Sequence, residues 1–337
     1  MADETVPDAS VEPAPVAEEP AADRIIPRRS AMALRLVAVA VALVLAIGIA
    51  FVVVVLTGPP SVDDLRVQAG LDGKRELLIG VKDDQPGVAE FADGTWRGFD
   101  IEIAYLIAED LGFRRSEIRF LSIESEDRAR MQATDSEKKR VAVDMVIASY
   151  SITPAREAMA GVTFSAPYLY TEQSVVTRTD HADVSTLQDL RGKKVCSLAA
   201  STSESAATSA GMLVSSRKKI SECFAALDRG EFDAVTTDAA ILAGYKARYP
   251  AKYKHWDIGL DTTEAWGVNV GENPALLKLV NLALYRSRED PEDDRWEEAF
   301  DRNFTVEEQI NRPAPIAVDQ QPAVEEPDVR QWPWERV

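Results

Sequence analysis

Apolar and polar positions alternate in three different ways along this chain. Between Leu36 and Leu56 the run LVAVAVALVLAIGIAFVVVVL has no charge and no proline. At 1.5 Å per residue it spans about 31 Å as a helix, the thickness of a bilayer's hydrocarbon core. Lipid cannot satisfy a bare backbone, so a segment that crosses there must be helical. From residue 74 onward, short apolar runs alternate with stretches whose apolar residues recur at helical spacing. The two ends, 1–23 and 307–337, have no apolar period and are rich in Pro, Ala and Glu. Such composition buries too little to offset the entropy of ordering, so both ends are expected to be disordered.

Within the middle region ELLIGVK (76–82) reads as a buried strand, and FADGTWRGFD carries two turn glycines. Ile101, Ala104, Tyr105, Ala108 and Leu111 then mark a helix that Gly112 stops. A strand over 118–123, a helix from 126 to 133 and a strand over 141–148 complete a βαβαβ order, the signature of a parallel, helix-covered sheet. A second series begins at Thr186. It has a short helix, a strand through KKVCSL, helices at 202–211 and 221–227, a strand at 232–237 and a helix at 238–249. Two α/β units of this kind, joined near 176–178, predict two lobes. The expected organisation is lobe 1 from 74–177 and 264–306, and lobe 2 from 178–263. A linker over 58–73 joins them to the apolar helix (36–57), and residues 1–35 form an N-terminal tail.

Charge orients the molecule. Arg24, Arg28, Arg29 and Arg35 precede the apolar run, and no Lys or Arg follows it before Arg66. Positive residues stay inside, so the N-terminus is expected in the cytoplasm and the α/β region outside the cell. The run is longer than the apolar part of a usual signal peptide, and no small-residue cleavage site follows it at once, which favours an uncleaved single-pass anchor in the cell membrane. With 38 Lys+Arg against 56 Asp+Glu the formal net charge is −18, which argues against a nucleic-acid partner. Cys196 and Cys223 fall in the exported half, where an even count permits one disulfide; two buried thiols are the alternative. Two cysteines and two histidines give little for a metal site, so no metal and no cofactor is expected.

Seven segments occur in order: IGVKDDQPG, GFDIEIAYLIAEDLG, VDMVIASYSITPAR, FSAPYLY, DLRGKKVC, EFDAVTTDAAILAGY and EAWGVNV. Together they resemble the family 3 extracellular solute-binding proteins of amino-acid ABC importers, closest to the glutamate-binding subgroup. The resemblance covers about Leu78 to Phe304. It implies an α/β, two-lobed, periplasmic-binding-protein-like (type II) fold that closes on its ligand about the connections at 176–178 and 258–266. It also implies that Cys196 and Cys223 are bridged.

The resemblance further implies a set of ligand-binding residues, and each has a chemical reason. Arg156 of SYSITPAR offers a planar fork for an α-carboxylate, with Ser149 and Ser151 as added donors. Ser201 and Thr202 of AASTSE stand at a strand end and helix start that face the same carboxylate, although Ala200 occupies a position where the family has Gly. Asp238 matches the acceptor for the ligand ammonium; its alternative role is a simple helix cap. Lys82 stands where binders of basic amino acids carry an acid, so it is expected to favour an acidic side chain and repel a cationic one. The implied function is a membrane-anchored binding protein for glutamate, aspartate, glutamine or asparagine, delivering it to ABC permease and ATPase subunits. The alternative is a sensor that reports the ligand to a membrane partner. No clustered set of reactive groups points to an enzyme.

Overall fold

The computed structural model describes residues 28–258, 263–312 and 315–331. Residues 1–27 of the expected disordered N-terminal tail, part of the second lobe connection and the terminal Trp332 and Trp334 lie outside those residues, whereas 28–35 of that tail are helical, continuous with the apolar run. The chain divides into two units, 1–58 and 59–337. The described residues of the first form one helix, α1 (Arg28–Thr57). Its segment Met32–Val54 has a mean hydropathy of 3.2 and is long and apolar enough to cross a membrane.

The second unit opens with α2 (Val62–Gln68), held by a reciprocal cap between Ser61 and Asp64. The chain then forms β1 (Leu77–Val81), a small antiparallel sheet of β2 (Asp84–Gln85), β3 (Ala89–Ala92) and β4 (Thr95–Arg97), and α3 (Phe99–Asp110). Next come β5 (Ile118–Ser122), β6 (Gln132–Thr134), β7 (Arg140–Ala142), β8 (Met145–Val146), the short α4 (Pro154–Glu157) and the long β9 (Phe164–Arg178). The second half holds β10 (Lys194–Leu198), α5 (Thr202–Ser209), β11 (Leu213–Arg217), α6 (Ile220–Asp228), β12 (Ala234–Asp238), α7 (Ala239–Arg248) and β13 (Tyr253–Trp256). The chain returns through β14 (Thr263–Asn269) to α8 (Pro274–Glu289), α9 (Arg295–Phe300) and α10 (Val306–Asn311).

Two parallel cores share one strand. In the first lobe β8, β1 and β5 run parallel; in the second β11, β10 and β12 do. β9 is antiparallel to both halves, pairing with β14 up to Glu172 and with β12 from Gln173 onward. The lobes therefore part between Glu172 and Gln173, earlier than the joint expected at 176–178. In the second lobe helices pack on both faces of these strands, and in the first α3 covers one face while residues Ala133 and Val143 cover the other, which explains their almost uninterrupted apolar character. Cys196 on β10 and Cys223 on α6 form the expected disulfide.

The lobes touch closely. α7 passes so near Pro86 that a Cβ built on Gly244 would lie 2.0 Å from the Pro86 carbonyl oxygen, so only glycine fits. Lys219 meets Asp83 at 2.6 Å, and the Ser221 amide donates to Asp84.

Three expectations need correction. The helix expected at 126–133 is a 3-10 turn, Ser125–Arg130, ended by Met131 with φ 54° and followed by β6. Its Arg128 is turned inward and grips backbone carbonyls, which a surface helix would not allow. The strand expected at 141–148 is split, because the Asp144 carboxylate takes the Leu78 amide and the Lys74 ammonium between β7 and β8. Finally, the described parts of the C-terminal stretch, 307–312 and 315–331, pack on the globular unit. Ile316, Gln321, Val324 and Val329 are buried, the Val318 amide donates to the Tyr170 carbonyl on β9, and the Arg330 amide donates to the Pro60 carbonyl. Three single apolar residues, spaced too irregularly to show a period, and the Gln321 amide bonded to the Leu284 carbonyl dock the tail on the globular unit.

Candidate ligand-binding cleft

Ligand sites in open α/β sheets form where the carboxyl ends of parallel strands meet loops and helix starts. Here the ends of β8, β10 and β12 converge on a nearly closed cleft of about 10 Å³ between the lobes. Its lining is Arg128, Ser149, Ser151 and Arg156 from the first lobe, and Leu198, Ser201, Thr202, Thr237, Asp238 and Ile241 from the second. Six of the seven residues expected from the sequence are thus brought together. Lys82 is not among them.

Past the end of β8 the chain turns sharply at Ser149, whose φ of 43° is left-handed and costly for any residue with a Cβ. It then reaches Thr153, which caps α4, with Pro154 at the first helical position, where its missing amide costs nothing. This start places Arg156 against the cleft. Its Nη1 donates to the Ser151 carbonyl at 2.7 Å and its Nη2 to the Ala200 carbonyl, in the opposite lobe, at 3.0 Å. Arg128 lies beside it. Its Nη1 serves the Ala148 and Ser149 carbonyls, and both guanidiniums stand over the Tyr150 ring, at 4.4 Å for Arg128 and 4.8 Å for Arg156. Burial lowers the pKa of both groups, and the nearby charge of Arg156 helps bring Arg128 down to about 9. Each keeps its proton at neutral pH, and each remains poorly compensated.

In the second lobe Ser201 is the cap of α5: its hydroxyl accepts the Glu204 amide and donates to the Leu198 carbonyl. That hydroxyl is already committed, so the donors offered at this helix start are the backbone amides and the Thr202 hydroxyl. Ala200, where glycine was the expected residue type, adopts φ 56°, and its amide is held by the Glu204 carboxylate at 2.8 Å. Asp238 sits at the cap position of α7 but makes no side-chain cap bond. Its carboxylate instead accepts the indole N–H of Trp266 at 2.6 Å. Burial first, and then the neighbouring Glu264, push its pKa up, while Trp266, Arg156 and Arg128 hold it back. A cation placed in the cleft would lower it again.

Lys82 sits deeper than expected. It is buried, and its ammonium donates to Ser125 Oγ at 3.2 Å, on the same turn that carries Arg128. Burial brings its pKa down to about 8, with Asp84 opposing. Sequence reasoning missed Arg128 and Thr237. Arg128 lies among charged residues in SEDRAR and carries no motif; Thr237 directly precedes Asp238 and could have been read with it.

Comparison with known proteins agrees with this architecture. The chain is 30% identical over 223 residues to the glutamate-binding protein GluB of Corynebacterium efficiens, covering 62% of this chain and 73% of that one. It is 28% identical over 243 residues to the ABC transporter glutamine-binding protein GlnH of Bacillus subtilis, covering 69% and 82%. Among solved structures, an ancestral arginine-binding protein bound to glutamine superposes with a TM-score of 0.60 at 29% identity, covering 68% of this chain and 98% of that one. Residues 77–302 match the model of a single family, and the chain belongs to it: the bacterial extracellular solute-binding proteins, family 3.

Proposed function

We propose that this chain is a membrane-anchored extracellular receptor for an acidic amino acid or its amide, which it delivers to an ABC importer. One observation carries the ligand class: Arg156 and Asp238, both buried, line one cleft from opposite lobes. A free amino acid presents an α-carboxylate to the first and an ammonium to the second, and each charge desolvated on binding finds a partner. The Ser151 and Thr202 hydroxyls and the amides at Ser201 and Thr202 supply the remaining donors; both donors of Ser149 are taken by Gln85 and Asp100.

The charge count favours an acidic side chain. The lining holds two guanidiniums and one carboxylate. A zwitterion leaves that imbalance unchanged, whereas glutamate or aspartate brings one further negative charge and cancels it. Arg128 is the group placed to receive it, with Lys82 adding positive potential one layer behind. Proteins named for glutamate and glutamine binding among the relatives support the same class. The span Met32–Val54, with the arginines before it, supports an anchor with the binding unit outside.

A thermal-shift screen of the twenty amino acids on residues 59–337 tests the proposal. Glutamate, aspartate or their amides should raise the midpoint most, since a ligand that binds only the folded state stabilises it by mass action. A larger shift with arginine or lysine would reject the acidic class.

A sensing role is the second reading, and one observation favours it. The C-terminal stretch contacts β9, the strand shared by the lobes, at Tyr170, and ends against Pro60. It thereby links the strand shared by the lobes to the point where the apolar helix joins the globular unit. Co-purification with permease and ATPase subunits would favour delivery; capture of a different membrane partner would favour sensing.

A further inference from the structure

The strained turn at Ser149 shapes the first-lobe side of the cleft, and something must hold it. Its backbone is gripped on both sides of the Cα. The Ser149 carbonyl accepts from Arg128 Nη1 at 2.9 Å, and the Ser149 amide donates to Asp100 Oδ2 at 2.8 Å. Asp100 does not line the cleft. It lies in the first turn of α3 with no exposed surface, and its other oxygen accepts the Tyr168 hydroxyl at 2.8 Å.

A buried carboxylate with no opposite charge bonded to it is an expensive way to fill a core. Burial pushes Asp100 up to about 7; the Tyr168 hydroxyl, the Ser149 amide and the charge of Arg128 oppose that rise. Those are the titratable and charged groups that face it: Tyr168 from β9 and Arg128 from the 125–130 turn. Non-glycine residues in sparsely populated backbone regions persist only where their surroundings over-determine them, and such sites concentrate where ligands bind.

We propose that Asp100 is a positioning residue for ligand binding: by accepting the Ser149 amide it holds the left-handed turn from which Ser149, Ser151 and Arg156 reach the cleft. Asp100 and Arg128 act as a pair across the Ala148–Ser149 peptide, the carboxylate on the Ser149 N–H and the guanidinium on the Ala148 C=O, with the Ser149 C=O on the same Nη1. Without the carboxylate the Ser149 amide is a buried, unpaired donor. The peptide then relaxes toward a right-handed conformation and takes the cradle with it. The binding part of this inference rests on the amino-acid reading; the backbone part does not.

The experiment uses the full chain in detergent micelles, with Asp100→Ala, Asp100→Asn and Tyr168→Phe. Amide hydrogen exchange over 147–152 is measured without ligand, and affinity for L-glutamate and L-glutamine is measured by calorimetry. Asp100→Ala should speed exchange at Ser149 and weaken both ligands by at least about tenfold, as expected when a buried donor loses its partner. Asp100→Asn keeps an acceptor for the Ser149 amide and should recover most of both properties. Tyr168→Phe leaves the Ser149 bond intact and should stay close to the wild-type protein. Unchanged exchange at Ser149 in Asp100→Ala overturns the proposal. So does a Tyr168→Phe variant as impaired as Asp100→Ala, since general damage to the core would then explain both. Should Asp100→Ala fail to fold, Asp100→Asn against Tyr168→Phe decides: faster exchange in the former alone supports the role, and equal rates reject it. If the wild-type chain binds neither amino acid, the ligand reading falls, and the exchange data still decide the role of Asp100.

Discussion

Arg156 and Ala200 are joined across the lobes by a bond of 3.0 Å from the Arg156 guanidinium to the Ala200 carbonyl. Ala200 presents that carbonyl because its backbone is left-handed and its amide is tied down by Glu204. A neutral carbonyl is thus held against the group expected to bind a carboxylate. Charge-assisted bonds are roughly twice as strong as neutral ones. A ligand carboxylate arriving at Arg156 would displace the weaker partner, and the lobes would close on the ligand in place of each other.

Arg156→Ala should weaken every amino-acid ligand, because the α-carboxylate is common to all. Removing one partner of a buried charge pair costs about 2–5 kcal/mol, or roughly thirtyfold to several thousandfold in affinity. Arg156→Lys should recover little, since an ammonium lacks the planar fork. Calorimetry with glutamate and glutamine measures both; intact binding in Arg156→Ala would place the carboxylate elsewhere.

Arg128 and Lys82 divide differently than the sequence alone implies. Arg128 lines the cleft and Lys82 does not. Arg128→Met should therefore weaken both ligands, by releasing the Ala148 and Ser149 carbonyls, and should weaken glutamate further than glutamine. Lys82→Met should change the ratio of the two only slightly. Calorimetric affinities for both ligands give the ratio. A larger change in Lys82→Met would return the side-chain subsite to Lys82.

Ala200→Gly tests the strain in the second lobe. A left-handed residue with a Cβ costs roughly 1–2 kcal/mol, and glycine gives back about 0.5–1 kcal/mol as unfolded-chain entropy. The variant should therefore be as stable as the parent or up to about 1 kcal/mol more so, read from the urea midpoint of residues 59–337. A clear loss of stability would mean that the Ala200 side chain contributes packing that outweighs the backbone strain.

Much of this arrangement is legible in the sequence because its signals are local. Thr153 and Pro154 announce the helix start that carries Arg156, and TTDAAIL announces the strand end that carries Asp238. The inward turn of Arg128 is not local: it depends on carbonyls at Ala148 and Ser149, distant in sequence, being left without helical partners. The depth of Lys82 is set likewise by Ser125. The tail reads as disordered because its composition is Pro-rich and its few apolar residues bury singly. β9 passes as FSAPYLY plus a joint because its exchange of partners at Glu172 leaves no mark in its own residues.

The last prediction concerns His255, which ties the second lobe to the C-terminal stretch. Its Nε2 lies 2.7 Å from Ser174 Oγ on β9, and its Nδ1 lies 2.5 Å from Asn311 Oδ1 at the end of α10. Asn311 spends its amide N–H groups on the Ala243 and Glu307 carbonyls. Its oxygen therefore accepts from His255 Nδ1, while the Ser174 hydroxyl beside Nε2 also lies 2.6 Å from the Trp256 carbonyl. The imidazole is neutral and buried, and burial brings its pKa from 6.5 down to about 4. The folded state thus binds this proton less readily than the unfolded one. The resulting stability is present above pH 6.5 and is lost as pH falls through that value toward 4, about 3 kcal/mol in all. Asp100 runs the other way: its pKa is raised to about 7, so its contribution is present below 3.8 and lost as pH rises through 7. His255→Gln removes only the first effect. The variant should be less stable than the parent at pH 7.5, having lost well-placed bonds, but the gap should narrow by about 2 kcal/mol by pH 5. Urea denaturation of residues 59–337 at pH 7.5, 6 and 5 measures it. A gap that stays constant across that range would mean His255 does not titrate between the folded and unfolded states as its burial requires.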